Sequence, residues 1–321
     1  MAKAIFISAD CWLSVFDLLA PSQLGLGIAL ISHRFDFYVN EHFKTRKWTL
    51  KHIGIRRKIG ENGTKEMEIV NYDLKPFPIS QIQLPHKTVG FRSITISYID
   101  QNAIAFLRQL FASFCPINLI IDTTNDRILE SILRNIWPLI AKSICGMELL
   151  PSVFRRLRKF VSSFLNECLS LRIFCSYFYE FTQFLANDSA AASDGQSVAK
   201  WLFSPRPDNV PKVLKCVLLK DDENLAANIE AFKAAFSNVS SPVNFIVVIW
   251  FVRSDSVVPF DLTNELTREQ LALKWIKNSD HFMLIRCPIG RDEMKWTKWE
   301  KEAIGWEFID QWNRIDIQID N

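Results

Sequence analysis

The sequence predicts a mixed α/β fold, and three observations carry that expectation. From Val89 onward a short apolar run, a polar cap and a longer helical pattern recur several times. Alternating strand and helix of this kind argues for a parallel sheet. Ahead of it, Asn62-Gly63 sits between two strand-like runs, the strongest short hairpin signal, since both turn residues tolerate positive φ. At the front, residues 7–48 read as three short helices, and 19 of the 33 residues from Cys11 to Phe43 are apolar or aromatic. A segment that small rarely hides so much apolar surface within itself.

Taken in order, Asp10 can cap a first helix whose apolar positions Cys11, Trp12, Val15, Phe16, Leu18 and Leu19 recur at helical spacing. Pro21 breaks it and suits the start of a second helix, Ser22 to Ile31. A third, about His33 to Phe43, carries Phe35, Tyr38, Val39 and His42 along one stripe. Trp48 to Ile59 and Lys65 to Tyr72 flank the Asn-Gly turn, and Pro76, Pro78 and Pro85 make an extended connection. The domain boundaries expected are therefore 1–47, 48–88 and 89–321.

The front segment resembles an F-box, the module that docks a protein onto the Skp-type adaptor of cullin–RING ubiquitin ligases. Ile7-Ser8-Ala9-Asp10, Cys11-Trp12, Val15-Phe16 and Leu19 occupy the positions of its opening pattern. Pro21-Ser22-Gln23-Leu24 stands for its Pro-x-Asp-Leu turn, and Ile31-Ser32-His33-Arg34-Phe35 for its Val-Cys-Lys-x-Trp run. Ser8 replaces the family's usual Pro and Phe35 its usual Trp. The resemblance implies an adaptor interface made or directly supported by Ile7, Trp12, Phe16, Leu19, Pro21, Leu24, Ile31 and Phe35, with Phe16 a central anchor.

In the body, strands are expected at 93–97, 117–121, 144–149, 170–174, 213–219, 243–250 and 281–286. Helices are expected at 101–114, 125–142, 152–167, 222–237 and 263–278, with starts at Asp100, Thr124, Ser152, Asp222 and Thr263. Early repeats span about 24 to 28 residues and later ones are longer, which resembles a degenerate leucine-rich-repeat-like solenoid more than a Rossmann-like layer. Ala186 to Ser197 reads as a mobile surface loop and Ser204 to Pro211 as a second irregular stretch. Asp292 to Arg314 reads as a helix with Trp296, Trp299, Trp306 and Trp312, expected to cap the array, and Ile315, Ile317 and Ile319 alternate as a last strand.

Composition narrows the function. With 38 basic and 35 acidic residues the net charge is +3, too small for a field that gathers nucleic acid or anionic membrane. Asp10 and Asp17 interrupt the apolar run that a signal peptide would need, and Val243 to Val252 is too short to span a bilayer. Glycines number only 10, and Gly25-Leu26-Gly27 lacks both the third glycine and the preceding strand of a dinucleotide loop. Seven cysteines without a CxxC pair read as buried reduced thiols in a cytoplasmic or nuclear protein. Cys168 and Cys175 read as core, and His33, His42, His52, His86 and His281 show no ligand spacing, so neither metal nor cofactor is expected.

Asp122 and Asp221-Asp222-Glu223 follow strands, where α/β enzymes place catalytic carboxylates, but each also fits a helix start. An enzyme would need Asp122 and Asp221 to converge. The basic clusters Lys44–Lys47, Arg56–Lys58 and Arg155–Lys159 read as solvated faces. The expectation is therefore a non-catalytic substrate-recognition subunit of an Skp–cullin–F-box ubiquitin ligase. Its partners would be the adaptor, through it a cullin, and a protein target. The alternative is a non-ligase interaction scaffold whose N-terminal helices only complete the fold.

Overall fold

The computed structural model describes residues 7–19, 24–45, 48–59, 65–71, 77–78, 88–111, 116–176, 187, 189, 191–218, 225–251, 258–277, 279 and 281–319. Contacts divide the chain into two compact units, Met1–Leu50 with Gln81–Gly90, and Lys51–Ser80 with Phe91–Asn321.

The first unit begins with α1 (Ala9–Phe16). Ser8, not Asp10, is its N-cap, its hydroxyl accepting from the Cys11 amide. The expected second helix is instead a π-helical turn, Leu24–Ile28, followed by a 3-10 turn, Ala29–Ile31. Two glycines in five residues weaken an α-helix here, and Ser32 is already extended. Then comes α2 (His33–Thr45). Phe16, Leu24 and Val39 form the core of this unit, with Trp12, Leu19, Phe35 and Phe43 packed around them.

In the described residues, thirteen strands form one sheet, in the order β10-β11-β12-β9-β8-β7-β6-β5-β13-β4-β1-β2-β3. Strands β1 (Trp48–Ile59) and β2 (Lys65–Asn71) pair antiparallel from Ile59↔Lys65, as a hairpin requires; the Asn62-Gly63 turn lies outside the described residues. Short β3 (Phe77–Pro78) joins β2.

The middle of the sheet is parallel: β4 (Thr88–Ile96), β13 (Arg314–Ile317), β5 (Ile117–Ile121), β6 (Ile144–Leu149), β7 (Ile173–Ser176), β8 (Lys212–Leu218) and β9 (Phe245–Phe251). From β5 to β9 each new strand adds beside the last, with no reversal. The connections carry α3 (Gln101–Phe111), α4 (Asp126–Asn135), α5 (Trp137–Ile140), α6 (Pro151–Phe160), α7 (Phe164–Glu167), α8 (Asp194–Leu202) and α9 (Leu225–Asn238).

Strand alternation sorts the two faces. Phe174 of β7 meets Phe154 of α6 and Trp201 of α8, and Phe245 of β9 meets Phe232 of α9. On the opposite face Ile173, Val213, Ile246 and Val248 pack with Trp296, Ala303 and Trp306 of the C-terminal segment. Burial on both faces explains why these strands read as continuous apolar runs.

Further expectations are corrected. Residues 263–278 are not a helix: β10 (Phe260–Asn264) and β11 (Glu269–Trp275) form an antiparallel hairpin, followed by β12 (His281–Pro288) against β9. The Asn264 side chain accepts from the Leu266 and Thr267 amides, Arg268 takes φ 56°, and Leu271 and Leu273 alternate inward. The stretch 186–197 is not all loop, because Ser193 and Gln196 form a capping box that starts α8 at Asp194. The basic face of α6 is not wholly solvated: buried Arg158 donates to Asp194 and to the Ser189 and Ala192 carbonyls.

The C-terminal helix α10 (Glu293–Gly305) does not cap the end of the array. It lies across the sheet face, and β13 then inserts between β4 and β5. Arg172 grips its Glu302 with two bonds of 2.7 and 2.9 Å.

Candidate functional site

In the first unit the eight expected adaptor residues differ in their burial. Phe16 and Leu24 are 0% exposed and form the core, so they support a surface without belonging to it. Trp12, Leu19 and Phe35 are half-buried, with Phe35 edge-on to Trp12 at 4.8 Å. Ile7 and Ile31 are exposed, and Pro21 lies outside the described residues. Arg34 ties the two ends of the unit together, Nε donating to the Tyr38 hydroxyl and Nη2 to the Ile7 carbonyl.

Apart from Ile31, the most exposed large apolar side chains of this unit are not among those eight. Leu18 is 85%, Leu30 77% and Phe37 60% exposed, alongside Ile31 at 63%. Leu18 stood in the apolar stripe of the first helix, but that helix ends at Phe16 and leaves it in the following turn. Isolated exposed leucines are ordinary; these four are large and lie on one small unit.

The second unit holds a cleft at the C-terminal ends of parallel strands, the position where open α/β sheets bind ligands. Its empty volume is about 370 Å3, open to solvent. Glu148 comes from β6, Cys175 and Ser176 from β7, Lys215 and Cys216 from β8, and Trp250 from β9, while Trp306 and Glu307 follow α10. Lys215 is buried, and its Nζ donates to the Trp306 carbonyl at 2.5 Å and the Ile304 carbonyl at 3.3 Å. It thereby satisfies the C-terminal end of α10, where unpaired carbonyls and the helix dipole favour a cation.

Glu307 approaches Lys215 at 3.8 Å, and Lys215 also lies 5.2 Å from the Trp250 ring centre. Trp250 also stacks with His281, ring centres 5.1 Å apart. The Ser176 hydroxyl is committed to the Leu149 carbonyl.

Glu148 differs from its neighbours: it makes neither a hydrogen bond nor an ion pair among the described residues, although it lines the cleft beside them. Burial, reinforced by the Glu307 charge and opposed by Lys215, holds its carboxyl above the usual carboxylate range. Burial also pushes the Cys216 thiol up to about 12 and raises Cys175, so both are thiols, not nucleophilic thiolates, at neutral pH. Among the described residues no group of three or more His, Cys, Asp or Glu side chains could hold a metal.

Asp122 is exposed beyond β5 and caps nothing; Asn125 accepts from the Arg127 and Ile128 amides to start α4. Asp221, Asp222 and Glu223 lie outside the described residues. Glu148 and Lys215 escaped the sequence reading because each sits within an apolar run. That placement is itself the usable signal, since a charge in a strand buried on both faces needs a reason.

The fold thus defines a mixed α/β protein with a large, mostly parallel sheet. None of its described helices is long and apolar enough to cross a membrane. Compared with protein-family models, curated proteins and solved structures, the chain finds no match.

Proposed function

We propose that the protein is a substrate-recognition subunit of an Skp–cullin–F-box ubiquitin ligase. The observation that carries the reading is the exposed apolar set Leu18, Leu30, Ile31 and Phe37 on a small helical unit, within the segment that resembles an F-box. Such a unit docks an adaptor and through it a cullin, while the sheet-bearing unit captures a protein target. The activity is proximity: a tethered target meets the transferring enzyme at high effective concentration, and the receptor itself needs no catalysis or cofactor. A sheet whose strands β5 to β9 add in one direction is compatible with a leucine-rich-repeat-like target-binding body and supports that half of the reading. Neither nucleic acid nor membrane is a partner in this scheme, which operates in the cytoplasm or nucleus.

The test uses the full chain and a purified Skp-type adaptor in a pull-down followed by calorimetry. Phe16 is the wrong residue to change, because it is 0% exposed and its loss would unfold the unit. Leu18→Glu and Leu30→Glu leave the core alone, and either should weaken adaptor binding by at least about tenfold, roughly 1.4 kcal/mol. Absence of adaptor binding by folded wild-type chain would refute the reading.

A further inference from the structure

The cleft at the ends of β6, β7 and β8 has a charge that its described lining residues do not balance. Two carboxylates, Glu148 and Glu307, face one ammonium, Lys215. The donors of Lys215 are already directed at the Trp306 and Ile304 carbonyls, with Glu307 at 3.8 Å. It is therefore a structural cation, not a free anion receptor. The same two carbonyls mark the negative end of the α10 dipole, which points into this region. Among the described residues Glu148 is left half-buried, without a hydrogen-bond or ion-pair partner, beside Trp250 and Trp306. A carboxylate in such surroundings has lost water and gained no donor, a cost that an incoming donor would offset.

We infer that the cleft accepts the ammonium or guanidinium group of a lysine or arginine side chain presented by the captured target. Glu148 is its ion-pair partner, Glu307 adds to the field, and the two tryptophans border its aliphatic stem. The identity of the ligand as part of a target rests on the substrate-receptor reading; the cation preference of the cleft does not. An anionic ligand would meet Glu148 and the helix end with like charge. A neutral apolar one would leave the carboxylate desolvated.

The experiment is calorimetric titration of the full chain with Nα-acetyl-arginine amide, Nα-acetyl-lysine amide and the uncharged near-isostere Nα-acetyl-citrulline amide. Arginine and lysine probes should bind at least about tenfold more tightly than citrulline. Glu148→Gln, which keeps the shape and removes the charge, should bring arginine down to the citrulline level; Glu307→Gln should cost less. The inference is overturned if citrulline equals arginine, if neither cation binds at concentrations on the order of 50 mM, or if Glu148→Gln leaves arginine binding unchanged. Should that variant fail to fold, the wild-type comparison of arginine with citrulline decides alone. Adaptor binding is measured on the same samples and should not respond to Glu148→Gln. A chain that binds arginine but no adaptor loses the ligase reading and keeps the cleft; the reverse result loses the cleft and keeps the ligase.

Discussion

Gly146 is closely packed on the sheet face that carries Trp306. A Cβ built there would stand 2.2 Å from the Asn118 Oδ1 atom and 2.9 Å from the Trp306 Cζ2 atom. Neither neighbour can step aside freely: Asn118 donates to the Trp312 carbonyl, and Trp306 is buried in the face cluster. Gly146→Ala should therefore lower stability by about 1–3 kcal/mol through overpacking, seen as a melting temperature lower by several degrees. An unchanged melting temperature would mean the ring has slack. Lys212 gives a prediction in pH. Burial first, and then the Arg206 charge, push its pKa down to about 8, while its ammonium donates to the Trp201 carbonyl. A base with a depressed folded pKa releases its proton on folding, so between about 8 and the ordinary 10.5 the unfolded chain holds more protons and stability rises with pH. Measured against Lys212→Met in urea melts, wild type should gain about 2 kcal/mol between pH 8 and pH 10. Single caps were only partly legible in the sequence. Asp100 does accept from the Ala103 amide, but Asn125 replaced Thr124, and α6 starts on Pro151 with no side-chain cap. Neighbouring cap residues compete, and only tertiary packing fixes which one has the right backbone.

At the scale of elements, the strands of the parallel core were readable because burial on both faces leaves unbroken apolar runs bounded by polar residues. Residues 117–121 and 144–149 fall where the pattern put them. The hairpin at 260–275 was not read, because Thr263 and the charged, Leu-rich stretch after it satisfy a helical template equally well. What decides for strands is tertiary: Glu269 at the head of β11 is buried against Arg286 of β12, bonded at 2.6 Å, and it also accepts the Val243 amide at 2.7 Å. In a helix that carboxylate would have no buried partner. Glu269→Ala should cost about 3–5 kcal/mol by stranding the Arg286 guanidinium, and adding Arg286→Met should recover much of it. Denaturant midpoints of the two single variants and the double variant check this; an additive double variant would show that the pair is not coupled. The strand-end cleft was missed for a related reason, since its charges come from two strands and a helix end far apart in sequence, and only the sheet order gathers them.

At the scale of the molecule, the two readings of the N-terminal helices differ in what each asks of the sheet-bearing unit. If those helices only complete the fold, their apolar residues are needed to close a core that the rest of the chain cannot close. Among the described residues, however, the hydrophobic cluster of the first unit draws its members from residues 12–43. The core of the second unit is supplied from within itself: crossover helices cover one sheet face, and the segment around α10 covers the other through Trp296, Ala303 and Trp306. The sequence could not reveal this arrangement, because the return of β13 to the middle of the sheet spans the whole length of the body. Deleting residues 1–46, which leaves β1 intact, should therefore yield a soluble chain that melts cooperatively, keeps its response to Gly146→Ala and loses adaptor binding. Circular dichroism melts and size-exclusion chromatography read the first two outcomes, and the adaptor pull-down reads the last. An aggregated or non-cooperative product would return the N-terminal helices to a purely structural role and favour the scaffold over the ligase subunit.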